Sequence, residues 1–366
     1  MLWLCGPPGS GKSAVGWILH AELARSGARA GFIDIDQLGM CLPAPSDDPE
    51  RYGLKERNLS ALVGNFRAAD CDAVVLSGDL GPSPGISSET ITGASLTICR
   101  LRASPDELRR RLTSRREGPE FVAGALRQAE ELDRTSFADA CVDTDGLTVA
   151  EVARLVRERF GGSPTERVAS TSKGVTPAPA TDTVGDVLLV CGATGVGKSA
   201  AGFEVFLRQR RAGLAAAYLD LGQIGFVSPA SPGDPGGHRL KARNLADLWR
   251  NYHAAGARRL VLSGPVPDER TVAVYATALP AARVTVCRLH ASPAELARRI
   301  TLRGQGLSWP QPGDPLIGQP QAHLRLVAAQ AAAEADVLDR SGLGDVRIDT
   351  EGRTSAQVAD LIVGRW

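Results

Sequence analysis

The stretch GPPGSGKS at residues 6–13 decides the fold of the first half of this chain. It satisfies the pattern GxxxxGK[ST], directly follows the apolar run LWLC, and is followed by a helical pattern. In that context the glycines let backbone N–H groups curl around a phosphate, the lysine reaches the β- and γ-phosphates, and the hydroxyl holds Mg²⁺. The stretch therefore predicts a nucleotide-binding loop between a strand and a helix.

A second such stretch, GATGVGKS at residues 192–199, makes a chance glycine-rich turn a poor explanation. One chance match is expected on the order of once in a hundred such chains, and two in register are far rarer. We expect both loops to bind ATP and Mg²⁺. The loop residues predicted to do so are Gly6, Gly9, Ser10, Gly11, Lys12 and Ser13 in the first copy, and Gly192, Gly195, Val196, Gly197, Lys198 and Ser199 in the second.

The whole chain is a tandem repeat. Lys198 follows Lys12 by 186 residues, and the same offset carries LKERNL onto LKARNL and VVLSG onto LVLSG. The offset is 206 at the end of each copy, where LDR precedes VDTDG and IDTEG. We therefore predict duplicated domains at residues 1–160 and 187–366. Residues 161–186 are rich in Pro, Gly, Ser and Thr and predict a flexible linker.

Short apolar runs alternate with longer helical patterns in each half. Such alternation predicts an α/β fold: two tandem P-loop NTPase domains, each a parallel sheet of about five strands with helices on both faces. The stretch Ser104-Pro105-Asp106-Glu107 is a typical helix start, with Ser as N-cap and acids in the first turn. Ser292-Pro293-Ala294-Glu295 repeats it.

The composition narrows the classes of partner. The 366 residues carry a net charge of +1, and aromatic residues make up only 5%. That balance gives no support for binding nucleic acid or a membrane surface, and no apolar run is long enough to span a bilayer. The seven cysteines include no CxxC pair, which is typical of reduced thiols in a cytoplasmic protein.

Two acids follow the second apolar run of the first copy. In FIDIDQLG, at residues 32–39, Asp34 and Asp36 lie two positions apart and would project to the same face of a strand end. In the second copy, YLDLGQIG keeps the first acid as Asp220 but has Gly222 in place of the second. Capping or a turn is the alternative explanation, because Asp is common at strand ends.

With these acids beside a P-loop, each half resembles the nucleoside-monophosphate-kinase-like group, nearest in pattern to shikimate, gluconate and adenylylsulfate kinases. The resemblance spans both halves and omits the linker. It implies a kinase fold in which Ser13 and Asp34 hold Mg²⁺ and Asp36 meets the acceptor hydroxyl. In the second half it implies Ser199 and Asp220 as magnesium ligands, without an acceptor-side acid.

The resemblance also places an acceptor-binding element at the helix that begins with LKERNL. It implies substrate contacts from Lys55, Arg57 and Asn58 there, and from Gly78 at the end of the third strand. A solvated helix face is the alternative for the three helical residues. Asp79, which is Pro265 in the second copy, could be a further metal-side acid or the result of neutral drift in a loop.

Arginines four residues apart on one helix face follow the fourth strand in each copy. They are Arg111 with Arg115, and Arg299 with Arg303. The resemblance implies that they belong to a lid over the transferring phosphate, where such charges stabilise the transition state; a basic surface helix is the alternative. An additional second-copy segment with Trp309 follows, and could enlarge this lid or form an ordinary surface loop.

The sequence thus predicts an ATP- and Mg²⁺-dependent phosphotransferase acting on a hydroxyl of a small molecule, since the retained Asp36 and lid arginines favour transfer. The first half is the predicted catalytic half, and the second binds nucleotide with reduced or altered activity. Two alternatives stay open: a regulatory nucleotide-binding protein, which Gly222 favours, and an ATPase without an acceptor. The acceptor itself is not specified by the fold.

Overall fold

The structure, a computed structural model, describes residues 1–81, 95–115, 117–160, 183–231, 233–307 and 314–366. Its contacts define two compact units. Unit 1 comprises Met1–Gly39, Glu50–Pro177 and Gly225–Leu240, and unit 2 comprises Met40–Pro49, Ala178–Ile224 and Lys241–Trp366. The predicted linker lies outside the described residues up to position 182. Its last two residues, Gly185 and Asp186, already belong to a strand.

The elements follow the predicted alternation of strands and helices. Those of the first copy are β1 (Leu2–Cys5), α1 (Lys12–Arg25), β2 (Ala30–Asp34), a 3₁₀ turn (Ile35–Gly39), β3 (Cys41–Leu42), α2 (Tyr52–Ala68), β4 (Ala73–Ser77), β5 (Thr97–Arg102), α3 (Pro105–Ser114), α4 (Pro119–Asp133), β6 (Ala140–Asp143) and α5 (Val149–Arg159). Those of the second copy are β7 (Gly185–Cys191), α6 (Lys198–Arg211), β8 (Ala216–Asp220), β9 (Phe226–Ser228), α7 (His238–Ala254), β10 (Arg259–Ser263), α8 (Glu269–Ala278), β11 (Ala282–His290), α9 (Pro293–Gly304), α10 (Gln321–Ser341), β12 (Val346–Asp349) and α11 (Ser355–Val363).

Each unit is built on one sheet that contains the five predicted parallel strands. The strand order is β6-β5-β1-β4-β2 in unit 1 and β12-β11-β7-β10-β8 in unit 2, so the two copies share one topology. In each sheet the strand before the P-loop is the central one of the five parallel strands. The chain first adds the two strands on one side of this central strand and then the two on its other side. A ligand site is expected outside the carboxyl end of the strands at such a switch point.

A sixth, antiparallel strand completes each sheet, and it comes from the other copy of the sequence. In unit 1, β9 pairs with β2, so that Phe226 lies opposite Phe32. Phe226 also packs edge-on against Trp17, with ring centroids 4.4 Å apart. In unit 2, β3 pairs with β8. The contacts therefore depart from the predicted domain limits at residues 40–49 and 225–240, which the two units exchange.

Local sequence explains where the helices begin. Ser104 caps α3, as predicted, because its hydroxyl accepts a hydrogen bond from the backbone N–H of Glu107 at 3.3 Å. Ser292 caps α9 in the same way through Glu295, also at 3.3 Å. The parallel strands are buried on both faces, β2 and β4 completely, as expected of a sheet covered by helices on both sides. Across the described ranges, no helix has the length and apolar character that crossing a membrane requires.

Candidate nucleotide and acceptor site

The P-loop of unit 1 joins β1 to α1, as predicted. Gly11 adopts φ 94°, a left-handed conformation that favours glycine, immediately before α1 begins at Lys12. The Lys12 ammonium donates hydrogen bonds to the carbonyl oxygens of Gly6 at 2.7 Å and Pro7 at 3.0 Å. The lysine is therefore held across its own loop, beside the helix N-terminus, where an anion is favoured.

The P-loop of unit 2 has the same construction. Lys198 donates to the carbonyl oxygens of Gly192 at 3.0 Å and Ala193 at 2.9 Å. Gly197, at φ 100°, precedes α6. Burial lowers the pKa of Lys198, because desolvation disfavours an ammonium ion. A bound phosphate would restore favourable surroundings for that charge.

The hydroxyl of each loop meets a different partner. In unit 2, Ser199 donates to Asp220 at 2.5 Å. In unit 1, Ser13 bonds Ser77 instead, at 3.1 Å. The counterpart of Ser77 in unit 2 bonds Tyr218, and the first copy has phenylalanine at the position of Tyr218.

The two acids and hydroxyls predicted to hold Mg²⁺ fit that ion. Mg²⁺ prefers oxygen ligands and is typically held by one or two carboxylates together with substrate phosphates. Ser199 and Asp220 already converge in unit 2. In unit 1, Asp34 ends β2, which pairs with β4 so that Asp34 lies opposite Ser77, the partner of Ser13.

Asp34 is nearly inaccessible, with only 3% of its surface exposed. Its Oδ1 accepts a hydrogen bond from the backbone N–H of Asp36 at 3.0 Å. Burial, and next the charge of Asp36, raise the pKa of Asp34 to about 7, against the opposing effect of Lys12. A carboxylate in this position is stabilised by a cation, which is the environment that the magnesium prediction requires.

Asp36 and Lys55, both predicted to contact the acceptor, lie close together. The Lys55 ammonium lies 3.2 Å from Asp36 Oδ1, and the same oxygen accepts from the backbone N–H of Asp79 at 3.3 Å. Lys55 also donates to the carbonyl oxygen of Asp79 at 3.1 Å. About half of the Asp36 side chain is exposed, so a ligand can reach it.

The other three residues of the predicted acceptor set have different surroundings. Asn58 is fully buried and donates to the carbonyl oxygen of Leu38 at 2.7 Å, which fixes the turn that follows Asp34. Arg57 lies on an exposed part of α2. A side chain at Gly78 would lie 2.7 Å from Ile35 Cβ, so glycine is needed for close packing. Contacts from these three residues to a substrate stay a prediction.

A network that sequence reasoning only partly found surrounds Asp79. Only 7% of the surface of Asp79 is exposed. Its carboxylate accepts hydrogen bonds from the Gln128 side chain, from the backbone N–H of Gly81 at 3.2 Å and from the Tyr52 hydroxyl. Burial raises the pKa of Asp79, and Lys55 opposes that effect. These bonds tie α4 and α2 to the strand end beside Asp36. The signal was present in the sequence as an acid without a counterpart in the second copy.

The arginines predicted to form a lid occupy unlike environments. Arg111 points inward: it donates to the carbonyl oxygen of Gly9 at 3.2 Å and to that of Thr144 at 2.7 Å. Arg299 makes similar contacts in unit 2, with the carbonyl oxygen of Val196, one residue beyond the counterpart of Gly9, and with that of Thr350. These guanidinium groups connect each P-loop to the loop after the last parallel strand, which the spacing alone did not reveal.

The second arginine of each pair lies at the end of its helix. Arg115 is exposed at the C-cap of α3. Arg303 pairs with Asp314, with Nε 2.5 Å from Oδ2. Trp309, in the segment that could enlarge the predicted lid, lies outside the described residues. A lid role of the arginines therefore remains a prediction.

Both units have the fold of a P-loop NTPase, and solved structures resemble about half of the chain. A tunicamycin resistance protein of Deinococcus radiodurans is 17% identical, with a TM-score of 0.34, and covers 50% of this chain and 95% of its own. The adenylylsulfate (APS) kinase CysC of Mycobacterium tuberculosis, in complex with AMPPNP and APS, is 16% identical over 49% of this chain and 96% of its own, with a TM-score of 0.30. A shikimate kinase of Acinetobacter baumannii, in complex with shikimate, is 17% identical over 43% and 91%, with a TM-score of 0.29. No family model matches the chain, and no curated protein does.

Proposed function

We propose that unit 1 is an ATP- and Mg²⁺-dependent phosphotransferase that phosphorylates a hydroxyl group of a small molecule. One observation carries the proposal. The P-loop lysine follows the carboxyl end of β1, and the buried Asp34 ends β2. The accessible Asp36 pairs with Lys55, which lies near the start of α2. Such a site has a place for phosphates, a place for a metal and an oriented acid, which are the parts that phosphoryl transfer needs.

The residues have separate tasks in this reaction. Lys12 and the loop N–H groups bind the β- and γ-phosphates. Ser13 and Asp34 would hold Mg²⁺, which neutralises charge on the phosphates when bound. Asp36 accepts a hydrogen bond from the acceptor hydroxyl and orients it, while Lys55 holds Asp36 in place. The acceptor oxygen bonds to the γ-phosphorus, the bond to the β–γ bridging oxygen breaks, ADP leaves, and the hydroxyl proton passes to Asp36 and then to solvent.

Unit 2 is proposed to bind nucleotide without efficient transfer. It retains the lysine and the Ser199–Asp220 pair. At the position of Asp36 it has Gly222, whose backbone N–H still donates to Asp220 at 2.8 Å. The turn is thus preserved while the acceptor-side carboxylate is missing. This observation supports an accessory or regulatory role for unit 2.

The test is consumption of ATP with a pooled metabolite extract, in which a phosphorylated acceptor is detected by mass. The purified full chain is compared with Lys12→Ala, Lys198→Ala and Asp36→Asn. We expect a product that disappears with Lys12→Ala, falls at least about a hundredfold with Asp36→Asn, and persists with Lys198→Ala. Loss of the product with Lys198→Ala alone would assign the chemistry to unit 2. ATP binding without ADP or product would favour a regulatory protein.

A further inference from the structure

Unit 2 carries a carboxylate on its phosphate-binding loop. Glu334, in α10, accepts a hydrogen bond from the backbone N–H of Thr194 at 2.9 Å. A protein carboxylate therefore already accepts a hydrogen bond from a loop whose backbone N–H groups and lysine together favour phosphate.

The first copy cannot form this contact. The LDR motifs at residues 132–134 and 338–340 align α4 with α10, and this register places Gln128 at the position of Glu334. The loop residue that corresponds to Thr194 is Pro8, which has no backbone N–H. Both the carboxylate and its donor are therefore particular to unit 2.

The second arginine of the predicted lid pair in unit 2 also has its charge compensated. The Arg303 guanidinium lies 2.5 Å from the carboxylate of Asp314, whose side chain is only 2% exposed. A cation that could meet an outer phosphate is thus already compensated by a buried acid.

We propose that unit 2 is a nucleoside-diphosphate site, in which Glu334 occupies the Thr194 N–H of the loop that a third phosphate would need. The proposal rests on nucleotide binding by unit 2, and is independent of phosphoryl transfer in unit 1. A diphosphate can use the other loop N–H groups and the N-terminus of α6. A triphosphate brings further negative charge and must displace the carboxylate from Thr194. Because Glu334 is exposed and can move away, we expect about tenfold discrimination, equivalent to about 1.4 kcal/mol.

The experiment is titration calorimetry on the full chain, with Mg²⁺ and either ADP or the ATP analogue AMPPNP. Every sample carries Lys12→Ala, which abolishes nucleotide binding by the loop of unit 1. The double variant Lys12→Ala/Lys198→Ala defines the background heat. We expect ADP to bind about tenfold more tightly than AMPPNP. Adding Glu334→Gln should tighten AMPPNP binding about tenfold and change the Kd of ADP much less, so that the two affinities converge.

Asp336→Asn is the matched control, because Asp336 is an exposed acid two residues further along the same helix. It removes the same charge and should leave the ratio of the two affinities unchanged. Equal affinities before Glu334→Gln, or an equal shift for both nucleotides after it, would overturn the diphosphate assignment and leave nucleotide binding intact. Binding of neither nucleotide would instead remove the proposed role of unit 2, and the inference with it. Activity of unit 1 is measured separately and decides neither outcome.

Discussion

Replacing Asp34 with asparagine should stabilise the metal-free protein at alkaline pH. Burial raises the pKa of Asp34 to about 7, compared with an ordinary value of 3.8. The folded chain therefore keeps this proton in a pH range where the unfolded chain has lost it. Folding then binds a proton, so the stability of the wild type falls as the pH rises from about 4 to about 7. Asparagine cannot ionise, and its side-chain oxygen can still accept the bond from Asp36.

The size of the effect follows from the two pKa values. Each pH unit between them corresponds to ~1.36 kcal/mol, so the full penalty above pH 7 is up to ~4 kcal/mol. The advantage of Asp34→Asn should grow by about 3 kcal/mol between pH 5 and pH 8 and then stay constant. For a domain of this size 1 kcal/mol corresponds to about 2–4 °C in Tm. The additional gain at pH 8 is therefore about 6–12 °C.

The assay is differential scanning calorimetry of the full chain with a chelator, at pH 5, 6, 7 and 8. Asp220→Asn is the control, because Asp220 accepts the Ser199 hydroxyl at 2.5 Å and should gain no comparable stability when replaced. The same Asp34→Asn protein should lose phosphotransferase activity. A gain that is equal at all four pH values, or no gain at pH 8, would refute the reasoning about the buried carboxylate.

Three further substitutions test other contacts. Asn58→Ala removes the buried hydrogen bond to the carbonyl of Leu38 and should cost about 1–3 kcal/mol in a urea titration; an unchanged midpoint would contradict this. Gly31→Ala places a methyl group 2.4 Å from the ring of Phe66 and should lower stability by about 1–3 kcal/mol, an effect that Phe66→Leu in the same chain should relieve when Tm is measured. Arg111→Lys loses the planar fork that joins the P-loop to the loop after β6. ATP binding measured by calorimetry should weaken about tenfold, and unaltered binding would show that the loop needs no such support.

The repeated sequence predicted the parallel sheets and the loops because each depends on local pattern. A glycine-rich loop between an apolar strand and a helix has few other structures available, and the cap at Ser104 is equally local. The carboxylates of Asp34 and Asp220 follow from the same strand ends. These features required no knowledge of which distant residues come into contact.

The features that were not predicted all depend on long-range pairing. Spacing placed Arg111 on a helix face, but could not show that its guanidinium turns towards the P-loop. The resemblance implied a substrate contact from Asn58, which stays a prediction, whereas its bond to Leu38 is visible only in three dimensions. The strands β3 and β9 are short and lie beside prolines, so they resembled loops. Only the sheet edge to which each pairs makes it a strand.

The exchanged edge strands affect how the chain can fold while it is being made. The edge of β2 is completed by Phe226–Ser228, residues that leave the ribosome after the whole first copy and the segment that follows it. The outer edge of β2 therefore stays unpaired until β9 has been synthesised, and unpaired edges are sites of misassembly. The sheet of unit 2 has no such delay, because its borrowed strand, Cys41–Leu42, is synthesised before β8. Nascent-chain aggregation should accordingly be greatest for ribosome-bound fragments that end between residue 160 and β9.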